Sequence, residues 1–245
     1  MISPLAMDLY AGLGATAGLA LAAGGFAYAS LHPASQLFGS SLIAPPHPGE
    51  LALTFDDGPN PIWTPRLLDL LSRRGVRATF FLVGSYAQSH PDLVRQIAAA
   101  GHSIGNHSWS HLNLALASSR QIEDQLYRTI QTLEEITGLP ICFFRPPFGA
   151  RRPATLSIAR RLGLTPVLWN AMTSDWKNPS ADAIALNLQA KIDRLYRQGQ
   201  AANIVLHDGS HSHSSADRAP SIAAAAQLIA RYQPTHQFVT LDAWA

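Results

Sequence analysis

Residues 50–59 read ELALTFDDGP, and this stretch decides the fold class. The apolar run Glu50–Asp56 predicts a short strand, and the turn signal Asp57-Gly58-Pro59 ends it. The run ATFFLV at residues 78–83 is apolar throughout, as expected of a strand that is buried on both faces of a parallel sheet. A helical pattern at Trp63–Arg74 lies between the two runs, so this region predicts a strand–helix–strand unit.

The same alternation of strand and helix continues toward the C terminus. A capping box at Ser118 and Gln121 begins the clearest helix, and Gly138 ends it. Further helices are predicted at Pro91–Ala100, Ala154–Leu162, Ala181–Arg197 and Pro220–Tyr232, and further strands at Cys142–Arg145, Thr165–Trp169, Asn203–His207 and Phe238–Leu241. The alternation predicts an α/β fold with a helix-covered parallel sheet, most simply a closed or nearly closed barrel. The functional residues of such folds lie at the carboxyl ends of the strands.

Length and composition exclude several classes of protein. A chain of 245 residues is within the range of one α/β domain. Charged residues make up only 14% of the chain and the net charge is +2, which argues against intrinsic disorder and against a nucleic-acid partner. Because Cys142 is the only cysteine, an intrachain disulfide is excluded.

The N-terminal part of the chain differs from the rest. Residues 9–31 contain no charged side chain and are long enough to span a bilayer as a helix. Three interpretations stay open: an uncleaved anchor, a secretory signal with the cleavage site Ala27-Tyr28-Ala29, and a helix of a soluble protein. We expect residues 1–31 to be an anchor or signal segment with membrane contact through residues 9–31. Residues 32–49, which are rich in proline and glycine, are predicted to be a linker.

Carboxylates end the first predicted strand, and two imidazoles lie close together further along the chain. Asp56 and Asp57 end the first strand, where neighbouring side chains point in different directions. His107 and His111 are four positions apart, so on one helical turn they would share a face and chelate one ion. Together with Asp57 they make a set of two histidines and one carboxylate, which leaves a coordination position for water. Taken singly, these residues also fit an ordinary Asp-Gly turn and two surface histidines.

Three more strand ends carry ionisable residues. Arg145 is always charged, and it either holds Asp56 ionised or is solvated. Asp175 follows a further strand, and His207 ends the last long strand, where a lone histidine would more often be structural. Since a chance coincidence of such residues at five strand ends is improbable, we interpret them as one site.

Five motifs in this order resemble those of the polysaccharide deacetylases, the NodB-homology hydrolases of carbohydrate esterase family 4. The motifs are TFDDGP at 54–59, HSWSH at 107–111, RPPFG at 145–149, Asp175-Trp176 and Leu206-His207. The resemblance covers about residues 50–242 and implies a distorted (β/α) barrel, so we take residues 50–245 as the catalytic domain. It implies that one divalent metal ion is held by Asp57, His107 and His111.

The resemblance also implies the roles in proton transfer. Asp56 would be the general base and His207 the general acid. Arg145 would tune the base and Asp175 the acid. The ion is expected to be zinc, and cobalt, nickel or iron also suit a two-histidine, one-carboxylate set.

Three residues are implied to contact the acetyl group. The backbone N–H of Phe148 would bind the oxyanion, while Trp176 and Leu206 would line the pocket of the acyl methyl group. One position departs from the family pattern, because the residue three before Asp175, often acidic in relatives, is Met172. The family does not require His211 or His213, for which a solvated polar loop is favoured over an additional metal site.

The function that the resemblance implies is hydrolysis of a linear amide bond. The expected reaction removes N-acetyl groups from amino sugars of a peptidoglycan-like or chitin-like poly- or oligosaccharide. An O-acetyl esterase, a deformylase of a lipid-linked sugar and an inactive carbohydrate-binding protein are the alternatives. Because polymers of this kind lie outside the cytoplasm, we expect an extracytoplasmic domain in the cell envelope that is either membrane-anchored or secreted.

Overall fold

The computed structural model describes residues 23–177, 179–212 and 215–245. Parallel strands form a sheet, and helices cover it. The strands are β1 (Glu50–Gly58), β2 (Thr79–Leu82), β3 (Ser103–Asn106), β4 (Phe143–Phe144), β5 (Thr165–Pro166), β6 (Ala171–Met172), β7 (Ala202–His207) and β8 (Gln237–Val239). The helices are α1 (23–31), α2 (Trp63–Arg74), α3 (Gly84–Ser89), α4 (Pro91–Ala99), α5 (Ser119–Thr137), α6 (Pro153–Arg161), α7 (Ala181–Arg197) and α8 (Ala219–Tyr232).

Strand β1 is the centre of the sheet. The strand order is β5-β4-β3-β2-β1-β7-β6, and β8 pairs with the first three residues of β1. The prediction of an α/β fold with a parallel sheet is confirmed, and the sheet curls into the distorted barrel that the resemblance implied. All residues of β1 after Glu50 are buried, which explains why this stretch is continuously apolar rather than alternating.

The predicted helices and strands match most elements and miss three short ones. Strand β3, the two-residue strand β6 and the six-residue helix α3 were not predicted, because a period cannot repeat within so few residues. The capping box of α5 is confirmed: Ser118 accepts the N–H of Gln121, and Gly138 ends the helix with a φ of 69°. Only a left-handed backbone at Gly138 closes this helix, which is why glycine suits the position.

Part of the predicted linker lies along the sheet. Leu42 forms a parallel bridge with Val167, and its backbone hydrogen bonds continue the ladder beyond β5. The side-chain amide of Asn203, on β7, donates to the carbonyl oxygen of Ile43 at 3.0 Å. These contacts connect residues 42–43 to both β5 and β7.

The hydrophobic N-terminal segment is described only in part. Residues 1–22 lie outside the described residues, so most of the predicted membrane contact through residues 9–31 does as well. The buried guanidinium of Arg151 donates to the carbonyl oxygens of His32 and Ser35 at 2.9 and 2.8 Å, and so attaches the chain after α1 to the loop that follows β4.

Among the described helices, none combines the length and the apolar character needed to cross a bilayer.

Candidate active site

A cavity of about 600 Å³ lies at the carboxyl ends of β1, β3 and β7. Seven of the ten predicted site residues line it: Asp56, Asp57, His107, His111, Phe148, Trp176 and His207. Two more, Arg145 and Asp175, are buried behind the wall and hydrogen-bond to residues that line the cavity. Residues that are distant in the sequence therefore converge because parallel strands bring their carboxyl ends to one edge.

An irregularity in β1 separates the two neighbouring aspartates. The register of β1 against β2 shifts between Asp56 and Gly58, and Asp57 has a φ of 70°. A bulge re-aims the side chain at its position, so the two carboxylates have different partners. Gly209 lies two residues after the end of β7. This position must be a glycine, because a Cβ on Gly209 would overlap the carbonyl oxygen of Asp57.

The two histidines of the HSWSH motif lie in a loop and not on the helical turn that we expected. The backbone is left-handed at Ser108, with a φ of 63°, and at His111, with a φ of 56°. The side-chain oxygen of Asn106 accepts the N–H of Ser108 at 2.8 Å, and the first N–H groups of α3 donate to carbonyl oxygens of the loop. These hydrogen bonds, which come from residues outside the motif, bring both imidazoles to Asp57.

Asp57, His107 and His111 form a buried group that is suited to one cation. Asp57 Oδ1 lies 3.4 Å from His107 Nε2 and 3.0 Å from His111 Nε2, and the three ligand atoms lie within 4.8 Å of one another. The Nδ1 of His107 lies 2.8 Å from the carbonyl oxygen of Arg145; donation to that oxygen leaves the Nε2 lone pair free. Among the described residues, Oδ1 of Asp57 is buried without a hydrogen-bond partner, so the donor set fits a divalent ion.

Protonation in this group favours cation binding. Burial alone would raise the pKa of Asp57, but the neighbouring imidazoles of His107, His111 and His211 hold this pKa well below its ordinary value. Burial lowers the pKa of His111, against the hydrogen bond with Asp57 that opposes the shift. An ionised carboxylate and a neutral imidazole are the forms that coordinate a metal ion.

Asp56 is paired with a buried arginine. Nη1 of Arg145 donates to Asp56 Oδ1 at 2.8 Å and to the hydroxyl of Thr54 at 2.6 Å, while Nη2 donates to the side-chain oxygen of Asn203 at 3.2 Å. The guanidinium also lies 4.1 Å above the ring of Phe81. The alternative of a solvated Arg145 is wrong, because the side chain is completely buried and provides the counter-charge of Asp56.

His207 is held by Asp175. Asp175 Oδ1 lies 2.8 Å from His207 Nδ1, and Oδ2 accepts the backbone N–H of His207 at 2.9 Å and the hydroxyl of Ser221 at 2.7 Å. Burial alone would lower the pKa of His207, but the charge and hydrogen bond of Asp175 outweigh burial and raise this pKa to about 9. Because Nδ1 is engaged by Asp175, Nε2 is the ring nitrogen left for a ligand in the cavity.

Two aromatic side chains stand at the cavity, one beside each of these histidine groups. Phe148 is 51% exposed and packs its ring edge-on against His111 at 4.6 Å. Trp176 is 41% exposed and packs edge-on against His207 at 5.3 Å. The backbone of Phe148 has a φ of 59°, a conformation that a residue other than glycine keeps only where the surroundings impose it.

The prediction that Leu206 lines the cavity is wrong. Leu206 is completely buried in the hydrophobic core, where its neighbours include Phe55 and Ile204. Side chains alternate along a strand, so Val205 and His207 face the cavity and Leu206 faces the opposite side of β7. Val205 therefore takes the place that was predicted for Leu206.

Three further side chains that line the cavity, those of Met172, His211 and Arg218, were not predicted as site residues. Met172 is half-buried in the wall. The side chain of His211 is 39% exposed, as expected of a solvated loop, but its ring also stacks on His111 at 4.2 Å and its Nδ1 lies 3.5 Å from Asp57 Oδ2. His213 lies outside the described residues. Arg218 is 3% exposed at the beginning of α8, and no sequence pattern distinguished it from other arginines.

Comparison with known families decides the identity of this fold and site. The family model described as polysaccharide deacetylase matches residues 44–167. The chain belongs to the polysaccharide deacetylase family. The matched range of this deacetylase includes the first three of the five motifs. These motifs contain Asp56, the Asp57–His107–His111 group and Arg145.

Individual relatives of this deacetylase extend the match beyond that range. A peptidoglycan-N-acetylglucosamine deacetylase of Bacillus cereus is 42% identical over 153 residues, which are 62% of this chain and 56% of the relative. A chitooligosaccharide deacetylase of Sinorhizobium fredii is 34% identical over 183 residues, 72% of this chain and 82% of that protein. The chain thus spans little more than half of the first relative's length and most of the second's.

Solved structures agree with the fold of this deacetylase. A peptidoglycan N-acetylglucosamine deacetylase in complex with an N-oxidanyl-benzamide matches it with a TM-score of 0.73 and 34% identity, over 83% of this chain and 91% of the other. The prediction that the chain is a polysaccharide deacetylase is confirmed at the level of the family.

Proposed function

We propose that this deacetylase removes N-acetyl groups from amino sugars of a peptidoglycan-like or chitin-like glycan, with one zinc ion at Asp57, His107 and His111. The observation that carries the proposal is that this buried group shares one cavity with Asp56 and His207. The relatives named above, which act on peptidoglycan and on chitooligosaccharides, support this substrate class. Since glycans of this kind lie outside the cytoplasm, the proposed location is the cell envelope.

The proposed ion site uses one carboxylate and two imidazoles of this chain. Asp57 would contribute a carboxylate oxygen, and His107 and His111 would contribute their Nε2 atoms. A divalent ion bound there supplies activation of the attacking water and polarisation of the acetyl carbonyl. Cobalt, nickel and iron suit the same donors, so zinc is proposed as the native ion on the composition of the ligand set.

Asp56 is the proposed general base. Asp56 directly precedes Asp57 in the sequence, and its carboxylate also lines the cavity. Its Oδ1 accepts a hydrogen bond from the buried guanidinium of Arg145. That counter-charge stays in place throughout, because Arg145 is also held by Thr54 and Asn203. Asp56 can therefore take the proton of the attacking water with a side chain that is already oriented.

His207 is the proposed general acid. Hydrolysis of an amide requires a proton for the departing nitrogen, and a raised pKa keeps His207 protonated in neutral solution. Asp175 orients the ring through Nδ1, so the proton is transferred from Nε2. After transfer, Asp56 and His207 regain their starting forms when His207 takes up the proton that Asp56 accepted.

The acetyl group itself would contact the aromatic wall. The N–H of Phe148 is proposed to donate to the developing oxyanion, a contribution of roughly 10²–10³ in rate for a donor of this type. Trp176 and Val205, which line the same cavity, would enclose the acetyl methyl group. Val205 replaces Leu206 in this role.

The direct test is acetate release by the full chain. Protein stripped of metal and reloaded with zinc is incubated with chitooligosaccharides, peptidoglycan glycan strands and acetylxylan, and acetate is measured. We expect release from the first two substrates, loss of release after stringent chelation and recovery on adding zinc. Release from acetylxylan alone would identify an O-acetyl esterase, and binding of glycan without any release would identify an inactive homologue.

A further inference from the structure

The loop after β7 places a cation in the cavity wall without an anionic partner. Arg218 lines the cavity and is 3% exposed. Its Nε donates to the carbonyl oxygen of Gly209 at 2.6 Å, but within the described residues its buried Nη1 has no hydrogen-bond partner. The ion pairs between described residues do not include Arg218. A buried charge is ordinarily paired, because removing it from water is costly.

The other buried cationic groups of the site are already engaged. Arg145 is paired with Asp56, and His207 is paired with Asp175. Arg218 is thus a positive group at the cavity to which the proposed deacetylation mechanism assigns no role. An unsatisfied buried donor in a cavity wall indicates a ligand that completes it.

Two hydrogen bonds hold residues near Arg218 against neighbouring helices. The indole N–H of Trp63 donates to the carbonyl oxygen of Ala216 at 2.8 Å, and the hydroxyl of Tyr86 donates to the carbonyl oxygen of Ser210 at 3.3 Å. These bonds attach the loop to α2 and α3. Arg218 also directly precedes the 14-residue helix α8, whose N-terminal end carries partial positive charge and adds to that of the guanidinium.

Arg218 is connected through the backbone to the residues around the proposed general acid. Three residues further along α8, Ser221 donates to Asp175, and Gly209, which accepts from Arg218, is two residues after His207. In the proposed function, His207 protonates the nitrogen that stays on the sugar. We therefore expect the sugar and its substituents near the loop after β7 that carries Arg218.

Resting on the proposed function, we propose that Arg218 binds a carboxylate carried by the glycan next to the acetamido sugar that is deacetylated. The guanidinium has two terminal nitrogens that suit a carboxylate in a paired geometry. The substrate class that this selects is an acidic amino-sugar glycan. Peptidoglycan strands carry lactyl carboxylates of this kind, whereas chitin oligomers are neutral.

The test compares three substrates of matched length with the zinc-loaded full chain. They are a chitin tetrasaccharide, a peptidoglycan tetrasaccharide with free lactyl carboxylates, and the same peptidoglycan tetrasaccharide with these carboxylates methyl-esterified. We expect esterification to lower kcat/KM by roughly 10- to 100-fold, the usual effect of losing a hydrogen-bonded charge contact. The esterified substrate probes the contact in unmodified protein, so the result does not depend on the folding of a variant.

Variants then assign the effect to one side chain. Arg218→Gln is expected to lower the ratio of kcat/KM for the acidic over the neutral substrate by the same factor, mainly through KM, and Arg218→Lys to lower it less. Arg197→Gln, in the exposed last turn of α7, is the matched control and should leave the ratio unchanged. Equal losses on both substrates would show a structural role for Arg218 and overturn the proposal.

Failure of this inference differs from failure of the proposed function. If chitin and peptidoglycan tetrasaccharides release acetate equally and esterification has no effect, the carboxylate contact is wrong and the deacetylase remains. If none of the three substrates releases acetate, the proposed function itself is wrong.

Discussion

The two sides of the cavity use the same side chain for opposite purposes. On one side, burial lowers the pKa of His111, whose Nε2 faces the carboxylate of Asp57. On the other side, Asp175 raises the pKa of His207 to about 9, although burial opposes the shift. The first imidazole is neutral and suited to a cation, and the second is charged and suited to giving up a proton.

What separates them is the number of imidazoles around each carboxylate. Asp57 is shared between His107, His111 and His211, and after burial, the largest cause, the neighbouring rings of His107 and His211 also lower the pKa of His111. Among the described residues, Asp175 pairs with one imidazole, that of His207, and its other side-chain partner is the hydroxyl of Ser221. In the proposed function, the shared carboxylate belongs to the metal site and the dedicated carboxylate orients the general acid.

Removing the shared carboxylate should have the largest effect. Asp57→Ala is expected to abolish both zinc binding and acetate release, because each histidine would lose the oxygen that completes the donor set. Bound zinc is measured by elemental analysis after dialysis. Asp92→Ala, on the exposed first turn of α4, is the control, and full zinc occupancy in Asp57→Ala would contradict the ligand assignment.

Removing the base should stop turnover and leave the ion in place. Asp56→Asn is expected to lower kcat by roughly 10²–10⁴, the range for a general base, with zinc content unchanged. The combination of the two measurements separates Asp56 from Asp57, its neighbour in the sequence. A wild-type rate in Asp56→Asn would refute the base assignment, and Asp69→Asn on the exposed face of α2 serves as control.

Removing the carboxylate of Asp175 should lower the pKa of His207, so that this imidazole becomes neutral as His111 is. In Asp175→Asn, burial acts on His207 without the opposing charge, so the pKa of His207 falls. The wild-type rate should decline as the pH rises toward about 9, and the decline should begin at lower pH in the variant, with a loss of about 10² at pH 8. An unchanged pH profile of kcat/KM in Asp175→Asn would contradict the role of His207.

The same pair predicts the pH dependence of stability. The folded-state pKa of His207 is raised, so the free energy of unfolding gained from its pairing with Asp175 is fully present below the ordinary histidine pKa of about 6.5. It should be lost as the pH rises through about 9. Chemical denaturation of the metal-free protein between these values should show the loss, and Asp175→Asn should flatten it.

The smallest effect is expected for the third histidine at Asp57. His211 stacks on His111 but is not among the residues whose ligand atoms converge, so His211→Ala should weaken zinc affinity by only about tenfold, as removal of an outer partner does. His111→Ala should weaken it far more. Competition with a chelator of known affinity measures both, and His236→Ala is the control. Equal losses in His111→Ala and His211→Ala would make His211 a fourth ligand.

Several parts of this picture could be predicted before the structure. The apolar runs of β1 and β2 and the capping box of α5 are local patterns, and they identified a parallel α/β fold. The motifs identified the ionisable residues of the cavity, because the chemistry of deacetylation demands particular side chains. Their convergence follows from the rule that parallel strands end at one edge.

Other parts depended on contacts between distant segments. The HSWSH loop takes its shape from Asn106 and α3, so spacing alone wrongly predicted a helical turn. The exchange of Leu206 for Val205 follows from the register of β7, since a shift of one residue reverses the face of a strand.

By itself, the sequence determined which side chains are available for catalysis and which fold class presents them, since both are encoded in local residue types and periods. Only the tertiary structure decided which carboxylate is shared and which is dedicated, and that Arg218 lines the cavity with a buried Nη1 that has no partner among the described residues. The physical reason is that charge pairing and burial are properties of neighbours in space. Those neighbours come from strands and loops that are far apart along the chain.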